Sequence, residues 1–478
     1  MSWVNFKIIM KKLFIENKWI SIFLIPIIFI IAYLISNQIK YPEVRWNWDE
    51  IDVTKLDFPL GFEWGVATAA HQVEGNSINN WSRWEEGSFE NGRPHIHKEE
   101  KSGIACDHWN KYKEDIILIK ELGVDVYRFS VEWSKIEPEE GVFNKQAIKH
   151  YQDVCDALLI AGITPVITLH HFTNPLWFED IGAFEKEENI KYFSRFSEFV
   201  FEALNNRVYT WCTINEPAVY TSQGYFNGVF PPGKKNPELA GVVMKNLLLA
   251  HTKVYNRLKA HKNGSKHQIG IVKNIFPFDP YSRWNPMDWF VSRTLDGVFN
   301  QGALNYFLTG KFEFSMPGMD KVVFNDPSVI KSLDFIGLNN YSHYRVKSQF
   351  SLSDFFYFKF YDDEEMTDMP YPLYAEGMYR SIKRVETLGK PIIITENGVA
   401  DKNDIIRSKY IDRYLFAVSR AIEEGADIKG YYYWTLMDNF EWSEGYDMKF
   451  GLYDVDFKTQ KRTLREGSKR FIDIVSQF

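Results

Sequence analysis

The chain has 478 residues, a net charge of −7 and an apolar fraction of 45%. This length permits one large domain or two to three ordinary ones, and the apolar fraction is enough to bury a sizeable core. No long basic run occurs in the body of the chain, so we do not expect nucleic acid as a partner. The 15 Trp, 26 Tyr and 38 Phe fit either a large core or flat stacking surfaces for a ligand.

The N-terminal region carries a long apolar segment. No residue from Trp19 to Ile39 is charged, and at about 1.5 Å per residue a helix of this length just crosses a bilayer core. Because four lysines precede the segment, the positive-inside rule places the N-terminus in the cytoplasm and the remainder on the other side. We predict a short tail over 1–18, a transmembrane anchor over 19–39, a polar linker over 40–57 and one domain over 58–478.

A cleaved signal peptide and a helix lying in the membrane interface are the alternatives to this anchor. The apolar run is long for a signal peptide, and no small-x-small cleavage site follows it between Tyr33 and Gln38. The three cysteines, Cys106, Cys155 and Cys212, match no metal spacing and no disulfide framework. We expect them to be small core residues, and they do not define the compartment.

Short β-rich runs alternate with amphipathic helical patterns through the rest of the chain. The predicted strands cover residues 62–70, 124–133, 164–172, 209–217, 268–277, 333–341, 391–398 and 428–434. Helical patterns cover 107–122, 198–204, 244–260 and 410–424, and helix-ending glycines are expected at Gly123, Gly162, Gly389 and Gly425. Eight such alternations predict a parallel (β/α)8 barrel, the TIM barrel. A doubly wound open sheet is the alternative, but no Gly-x-Gly-x-x-Gly follows the first strand, as a dinucleotide-binding version requires.

Polar residues are concentrated at the carboxyl ends of the predicted strands, where chemistry takes place in such barrels. Two of these ends carry a glutamate beside an asparagine: Glu216 follows the fourth strand and Glu396 follows the seventh. Either glutamate alone would be interpreted as a capping or loop residue. Two of them at different strand ends fit acetal hydrolysis with retention, which needs two carboxyl groups about 5–5.5 Å apart. Glu216 and Glu396 are therefore the predicted catalytic pair.

From about Leu60 to Phe471 the chain resembles glycoside hydrolase family 1, the β-glucosidase family. The matching stretches are 65–75 (GVATAAHQVEG), 127–130 (YRFS), 213–217 (TINEP), 334–339 (DFIGLN), 394–398 (ITENG) and 438–442 (DNFEW). The resemblance implies a retaining β-glycosidase that removes terminal β-linked glucose- or galactose-type sugars by double displacement. It implies neither a metal nor an organic cofactor.

The resemblance also implies individual roles. Glu396 would be the nucleophile and Glu216 the acid/base residue, with Arg128 and Tyr341 flanking Glu396. Asn215 would bind the sugar 2-hydroxyl. The other sugar-binding residues would be Gln72, His171, Glu441 and Trp442, above a stacking floor formed by Trp434.

Glu441 carries information about the substrate. Phospho-glycosidases of the family have a serine at this position and a lysine and a tyrosine further on, where this chain has Met448 and Phe450. A 6-phospho-sugar is therefore not expected. Departures from the family pattern at 171–172, 182–184 and 339–341 leave the preference among glucose, galactose, fucose and mannose open.

Residues 350–361 read FSLSDFFYFKFY and follow the sixth strand, on the face expected to carry the site. The segment forms either a loop with its own small core or an apolar mouth for a lipid aglycone or a bilayer. With the anchor, it motivates the hypothesis that the substrate is a glycolipid or another hydrophobic glycoside. A membrane-associated transglycosylase that remodels galactolipids and a non-catalytic glycan-binding protein are the rival interpretations. The oligomeric state is left open.

Overall fold

A computed structural model of the protein describes residues 18–349, 351 and 355–478, with side chains from residue 24 onward. Its centre is a closed barrel of eight parallel strands. The strands are β1 (Glu63–Thr68), β2 (Val126–Ser130), β3 (Thr164–His170), β4 (Thr210–Asn215), β5 (Gln268–Asn274), β6 (Phe335–Asn339), β7 (Ile392–Asn397) and β8 (Ile428–Trp434). Each strand pairs with its neighbours in the sequence, and β8 pairs with β1 to close the barrel.

The predicted barrel is confirmed, because each of the eight predicted runs contains one barrel strand. The closure rules out the doubly wound open sheet. Seven of the eight predicted runs are one to three residues too long at one or both ends, whereas 428–434 matches β8 at both ends. The surplus at the end of the fourth run has a clear cause: Glu216 and Pro217 leave the sheet and begin a short helix, Pro217–Thr221.

Helices surround the barrel and connect its strands. In the described chain after β1, those of eight or more residues are His108–Glu121, Lys145–Ile160, Ile190–Leu204, Pro237–Ala260, Pro286–Asp296, Gly302–Thr309, Glu376–Val385 and Arg407–Glu423. Shorter α-helices are Ala70–Val73, Asn80–Trp84, Trp133–Ile136, Leu176–Asp180, Pro217–Thr221 and Lys469–Val475. The four helix-ending glycines all have positive φ, from 61° at Gly389 to 97° at Gly425, as a C-cap glycine requires.

Three small sheets lie outside the barrel. Phe278–Pro280, Tyr344–Ser348 and Phe356–Phe358 form one of them, and this sheet contains three residues of the aromatic segment 350–361. Positions 350 and 352–354 of that segment lie outside the described residues. The other two sheets are the pairs Lys311–Phe314 with Val322–Asn325 and Tyr453–Asp456 with Lys461–Leu464.

The barrel interior is filled by a separate cluster of buried side chains from seven of the strands. Its members are Val126, Val166, Cys212, Val272, Phe335, Ile393 and Tyr432. Since side chains on a strand alternate between two faces, this cluster identifies the inward positions, and polar residues take them over near the carboxyl ends. All three cysteines are buried, as predicted.

The strands β4 and β7 depart from regular pairing just before the two predicted catalytic residues. The register between β4 and β5 shifts between Cys212 and Asn215. The register of β7 shifts after Ile394 against both of its neighbours. Irregularities of this kind re-aim side chains, and they bring Asn215 and Glu396 to the open end of the barrel.

The N-terminal helix spans Lys18–Lys40. Over the part of the chain that the structure describes, no helix is long and apolar enough to cross a bilayer. The following stretch, predicted as a polar linker, packs against the barrel. Arg283 Nη2 donates to Tyr41 O (2.7 Å), Tyr374 OH to Val44 O (2.6 Å), and the Trp46 amide to Glu376 Oε1 (2.8 Å).

Candidate active site

Glu396 lies at the carboxyl end of β7 and is held by two donors. Arg128 Nη1 lies 2.6 Å from Glu396 Oε1, and Tyr341 OH donates to Oε2 at 2.8 Å. Arg128 extends from the middle of β2, where it is 1% exposed, and also donates to Thr168 Oγ1 at 3.0 Å. A charged donor and a phenol on opposite oxygens fix both the orientation and the ionised form of the carboxylate.

Glu216 follows β4 in the left-handed backbone region, with φ 45° and ψ 63°. Its amide donates to Val272 O of β5 at 2.9 Å, which secures this sparsely populated conformation. Its Oε1 accepts from Asn339 Nδ2 at 2.6 Å and from Asn274 Nδ2 at 2.9 Å. The carboxyl group of Glu216 is thus hydrogen-bonded to β5 and β6, whereas the backbone of Glu216 lies at the end of β4.

A continuous chain of hydrogen bonds connects the two carboxyl groups. Arg128 Nη2 donates to Asn215 Oδ1 at 2.8 Å, and Asn339 Nδ2 reaches the same oxygen at 3.3 Å. Arg128 is bonded to Glu396, and Asn339 is bonded to Glu216. The predicted pair and its predicted supporters therefore occupy one site at the open end of the barrel.

The two carboxyl groups differ in their electrostatic surroundings. Burial, and then the negative charge of Glu396, raise the pKa of Glu216 to about 7. Burial also raises the pKa of Glu396, but Arg128 and Tyr341 act in the opposite direction. Glu216 is consequently protonated up to neutral pH, whereas Glu396 has the cation that favours its ionised form.

Gln72 and Glu441 lie next to each other on one side of the site. Gln72 Nε2 donates to Glu441 Oε2 at 3.0 Å and also to Asn439 Oδ1 and Phe440 O. Burial raises the pKa of Glu441 to about 8. Glu441 is therefore mainly protonated at neutral pH in the unliganded site, so the expected repulsion of a phosphate by a carboxylate at this position is weakened.

His171 completes the polar lining on the side of Asn215. Asn215 Nδ2 lies 3.1 Å from His171 Nε2, and burial together with the Arg128 charge lowers the pKa of the imidazole well below its usual value. The ring is thus neutral, with Nε2 accepting and Nδ1 carrying the proton. Among the described residues, His171 Nδ1 and Gln72 Oε1 have no hydrogen-bond partner. One buried donor and one buried acceptor are therefore free for ligand hydroxyl groups.

Two indoles enclose this polar lining. Trp434 at the end of β8 and Trp442 both stack on His171, with centroid separations of 5.8 and 5.9 Å. Phe172, which stands where the family has a tryptophan, contacts Trp442 edge-on at 5.2 Å. All ten predicted site residues are accordingly brought to the same end of the barrel.

Sequence reasoning missed three supporting residues. Asn274 and Asn339 hold Glu216, and Thr168 positions Arg128. Asn274 lies two residues beyond the inward-facing Val272, so the alternation of side chains along the strand predicts that Asn274 also faces the barrel interior. No group of three or more His, Cys, Asp or Glu suited to a metal ion occurs in the described part of the chain.

A TIM barrel with two buried carboxyl groups at the ends of β4 and β7 defines the class of glycoside-cleaving barrels. The family model for glycosyl hydrolase family 1 matches residues 54–477. The chain is 34% identical to β-glucosidase A of Acetivibrio thermocellus over 456 residues, which cover 88% of this chain and 99% of that protein.

Solved structures agree with this result. The β-glycosidase from Pyrococcus horikoshii is 39% identical and superposes with a TM-score of 0.79, covering 88% of this chain and 95% of that one. The β-glucosidase from Thermotoga maritima in complex with deoxynojirimycin is 31% identical, with a TM-score of 0.80 and coverage of 88% and 98%. The chain belongs to glycosyl hydrolase family 1 and is a retaining β-glycosidase.

Proposed function

We propose that this β-glycosidase works by double displacement, with Glu396 as nucleophile and Glu216 as acid/base residue. The hydrogen-bonded chain from Glu396 through Arg128, Asn215 and Asn339 to Glu216 is the observation that carries the proposal. It combines an ionised carboxylate and a protonated carboxyl group in one site, and the two half-reactions need both.

In the first half-reaction Glu396 attacks the anomeric carbon while Glu216 donates its proton to the departing oxygen. The bond from the sugar to the aglycone breaks and an ester bond to Glu396 forms. Esterification removes the negative charge of Glu396, which is the second cause of the raised pKa of Glu216. The pKa of Glu216 then falls, so that it can take a proton from the water that cleaves the ester.

The proposed sugar is an unphosphorylated hexopyranoside of the glucose or galactose type. The free donor on His171 and the free acceptor on Gln72 match sugar hydroxyl groups, and Trp434 offers an apolar face. Because Glu441 is mainly protonated, the case against a 6-phosphate rests on Met448 and Phe450. These residues supply neither a cation nor a hydroxyl group.

Trapping with 2-deoxy-2-fluoro glycosides tests the assignment and ranks the sugars. We expect the label on Glu396, with inactivation rates ordered by the sugar preference. In Glu216→Ala, sodium azide should restore turnover and give a β-glycosyl azide, because azide needs no base. A label on another residue would contradict the nucleophile, and a Glu216→Ala variant with normal activity would contradict the acid/base residue.

We further propose a hydrophobic aglycone. A cavity of about 190 Å³ lies between the helix Pro217–Thr221, which begins directly after Glu216, and the outer three-stranded sheet. Its apolar lining comes from these elements and from residues 295–299. Lining residues include Ala218, Phe226, Phe278, Leu295, Val298, Phe299, Tyr344, Phe356 and Phe358. The cavity is suited to the chain of an alkyl or acyl glycoside.

Alkyl β-glucosides of increasing length test the aglycone. Each buried methylene is worth about 0.8 kcal/mol, so kcat/KM should rise up to about fourfold per carbon until the cavity is filled. A flat dependence from methyl to dodecyl, with good hydrolysis of cellobiose, would contradict the hydrophobic aglycone. Analysis of the products from a galactolipid donor would distinguish hydrolysis from transfer to a second lipid.

We also propose that residues 19–39 attach the enzyme to a membrane, with the N-terminus cytoplasmic and the barrel on the other side. The proposal rests on the uncharged stretch in the sequence and on exposed apolar side chains, such as Phe29 at 70%. The helix Pro286–Asp296 lies against this N-terminal helix and exposes Met287 and Phe290, while Trp284 just before it is 68% exposed. These side chains would face the lipid.

Alkaline carbonate extraction of membranes from expressing cells tests the attachment. The full chain should stay with the membrane, and a variant lacking residues 1–39 should be released. The deletion ends before Tyr41 because the segment from Tyr41 onward packs on the barrel. Release of the full chain by carbonate would contradict the anchor, and protease protection in sealed vesicles would give the orientation.

A further inference from the structure

Lys273 is a buried lysine next to Asn274, whose side chain donates to Glu216, and the proposed mechanism gives it no role. It occupies the penultimate position of β5 and is 3% exposed. Val272 faces the barrel interior and Asn274 faces the site, so Lys273 points to the outer layer of the barrel. Its Nζ donates to the backbone carbonyl of Asn274 and lies 4.8 Å from the centre of the Phe299 ring.

A buried ammonium group is costly unless a carboxylate accompanies it. In the described part of the chain, no salt bridge joins Lys273 to an acidic residue. The neighbouring Asp296 is already engaged, because Arg384 donates to both of its oxygens at 2.6 and 2.8 Å. The ammonium group of Lys273 therefore has the carbonyl of Asn274 and the ring of Phe299 as its partners in the described part of the chain.

Lys273 and Glu216 also influence each other's pKa. The groups that act on Lys273 are Glu216 at the end of β4, Asp296 on the helix Pro286–Asp296 and Arg384 on the helix Glu376–Val385. Burial and Arg384 lower the pKa of Lys273 to about 7, and Glu216 opposes them. In return, Lys273 lowers the pKa of Glu216 against burial and Glu396. The other ionisable groups coupled to Glu216 are Arg128, Tyr341, Tyr371 and Glu441.

We propose that Lys273 is a positioning residue for the acid/base group, which fixes the backbone at the end of β5. By binding the carbonyl of Asn274, it secures the backbone of the residue whose side chain donates to Glu216 at 2.9 Å. This hydrogen bond favours the ionised form of Glu216. This form is needed only in the second half-reaction, so Lys273 acts mainly on the hydrolysis of the glycosyl-enzyme.

The inference rests on the proposed role of Glu216 and has a kinetic signature. With 2,4-dinitrophenyl β-glycosides the departing group needs no proton, so cleavage of the ester limits the rate. At pH values below the pKa of Glu216 in the glycosyl-enzyme, Lys273→Met should then lower kcat by up to about tenfold, the effect of one pKa unit. KM should fall in parallel and leave kcat/KM nearly unchanged. Azide, which needs no base, should restore kcat.

A second readout is the pH dependence of kcat/KM for an alkyl glycoside, for which Glu216 must be protonated. Without Lys273 the hydrogen bond from Asn274 to Glu216 should loosen, which should move the alkaline limb of Lys273→Met to higher pH by about half a unit to one unit. Lys273→Arg keeps a donor for the carbonyl of Asn274 and should keep the wild-type limb. Lys135→Met is the matched control, because Lys135 is a mostly buried lysine bonded to Glu74 and Gly75 O, away from Glu216. It should lower Tm without changing the limb or the ratio of kcat to KM.

The proposal is overturned if Lys273→Met lowers Tm but keeps the wild-type limb and lowers kcat without lowering KM. It is equally overturned if Lys273→Arg behaves like Lys273→Met in both readouts. Glu216→Ala, measured in parallel, separates this outcome from failure of the proposed function. If azide does not rescue Glu216→Ala, the acid/base assignment is wrong, whatever the lysine variants show.

Discussion

The catalytic centre and the aromatic side of the barrel mouth differ in how their side chains are held. In the centre, Glu216 and Glu396 are 5% and 3% exposed, and both accept hydrogen bonds from side chains on other strands. On the aromatic side, Phe358 is 43% exposed on a small sheet outside the barrel, and Phe355 just before that sheet is 70% exposed. The proposed chemistry is therefore built on barrel strands, whereas the proposed choice of aglycone depends on peripheral elements that can vary independently.

Replacement of Glu396, the proposed nucleophile, should give the largest effect, and this effect should be independent of the aglycone. Glu396→Ala should lower kcat by more than about 10⁴-fold for methyl and octyl glucosides alike, since the covalent step is lost. Steady-state rates on both substrates, with azide yielding an α-glycosyl azide, check this. A loss restricted to the octyl glycoside would show that the effect of Glu396 depends on the aromatic side of the barrel mouth.

Removal of the phenol that supports the nucleophile should have the next largest effect. Tyr341→Phe deletes the 2.8 Å hydrogen bond to Glu396. A hydrogen bond to a charged group is worth about 1.5–3 kcal/mol, so kcat/KM should fall about 10- to 100-fold. Rates of inactivation by a 2-deoxy-2-fluoro glycoside should fall in parallel. An unchanged rate of inactivation would place Tyr341 outside the attack step.

The pH dependence of kcat/KM should be set by the catalytic centre and should not depend on the aromatic side of the barrel mouth. Glu216 must be protonated to donate, and burial and Glu396 raise its pKa to about 7. For an alkyl glycoside, kcat/KM should accordingly fall about tenfold per unit above that pH. Methyl and octyl glucosides should share this limb. Separate limbs for the two substrates would mean that the aglycone changes the surroundings of Glu216.

The smallest effects are expected on the aromatic side of the barrel mouth, where Phe358 and Phe355 form a matched pair for comparison. Phe358 lines the apolar cavity, whereas Phe355 does not. Phe358→Ala should lower kcat/KM for octyl glucoside several-fold, about the value of one or two buried methylenes, and should spare methyl glucoside. Phe355→Ala should leave both substrates unchanged in solution. Equal losses in both variants would contradict a specific role for the cavity.

Much of the fold could be predicted because its signals are local. The eight strands follow from β-rich runs between helical patterns, and the helix ends follow from glycines such as Gly425 with φ 97°. The ends of the strands could not be placed as well. Glu216 turns out of the strand in a left-handed conformation that its amide secures by bonding to Val272 O, a contact across 56 positions of the chain that no local pattern contains.

The sequence by itself predicted the barrel and the pair Glu216 and Glu396, because residue type and strand order place both at one end of a parallel barrel. The family resemblance added Arg128 and Tyr341 as flanking residues. Only the tertiary structure decided how the two glutamates differ. The register shifts in β4 and β7, the bonds from Asn274 and Asn339, and the buried charge of Lys273 come from contacts between strands distant in sequence. A pKa depends on burial and on charges in space, and a linear pattern of residues specifies neither.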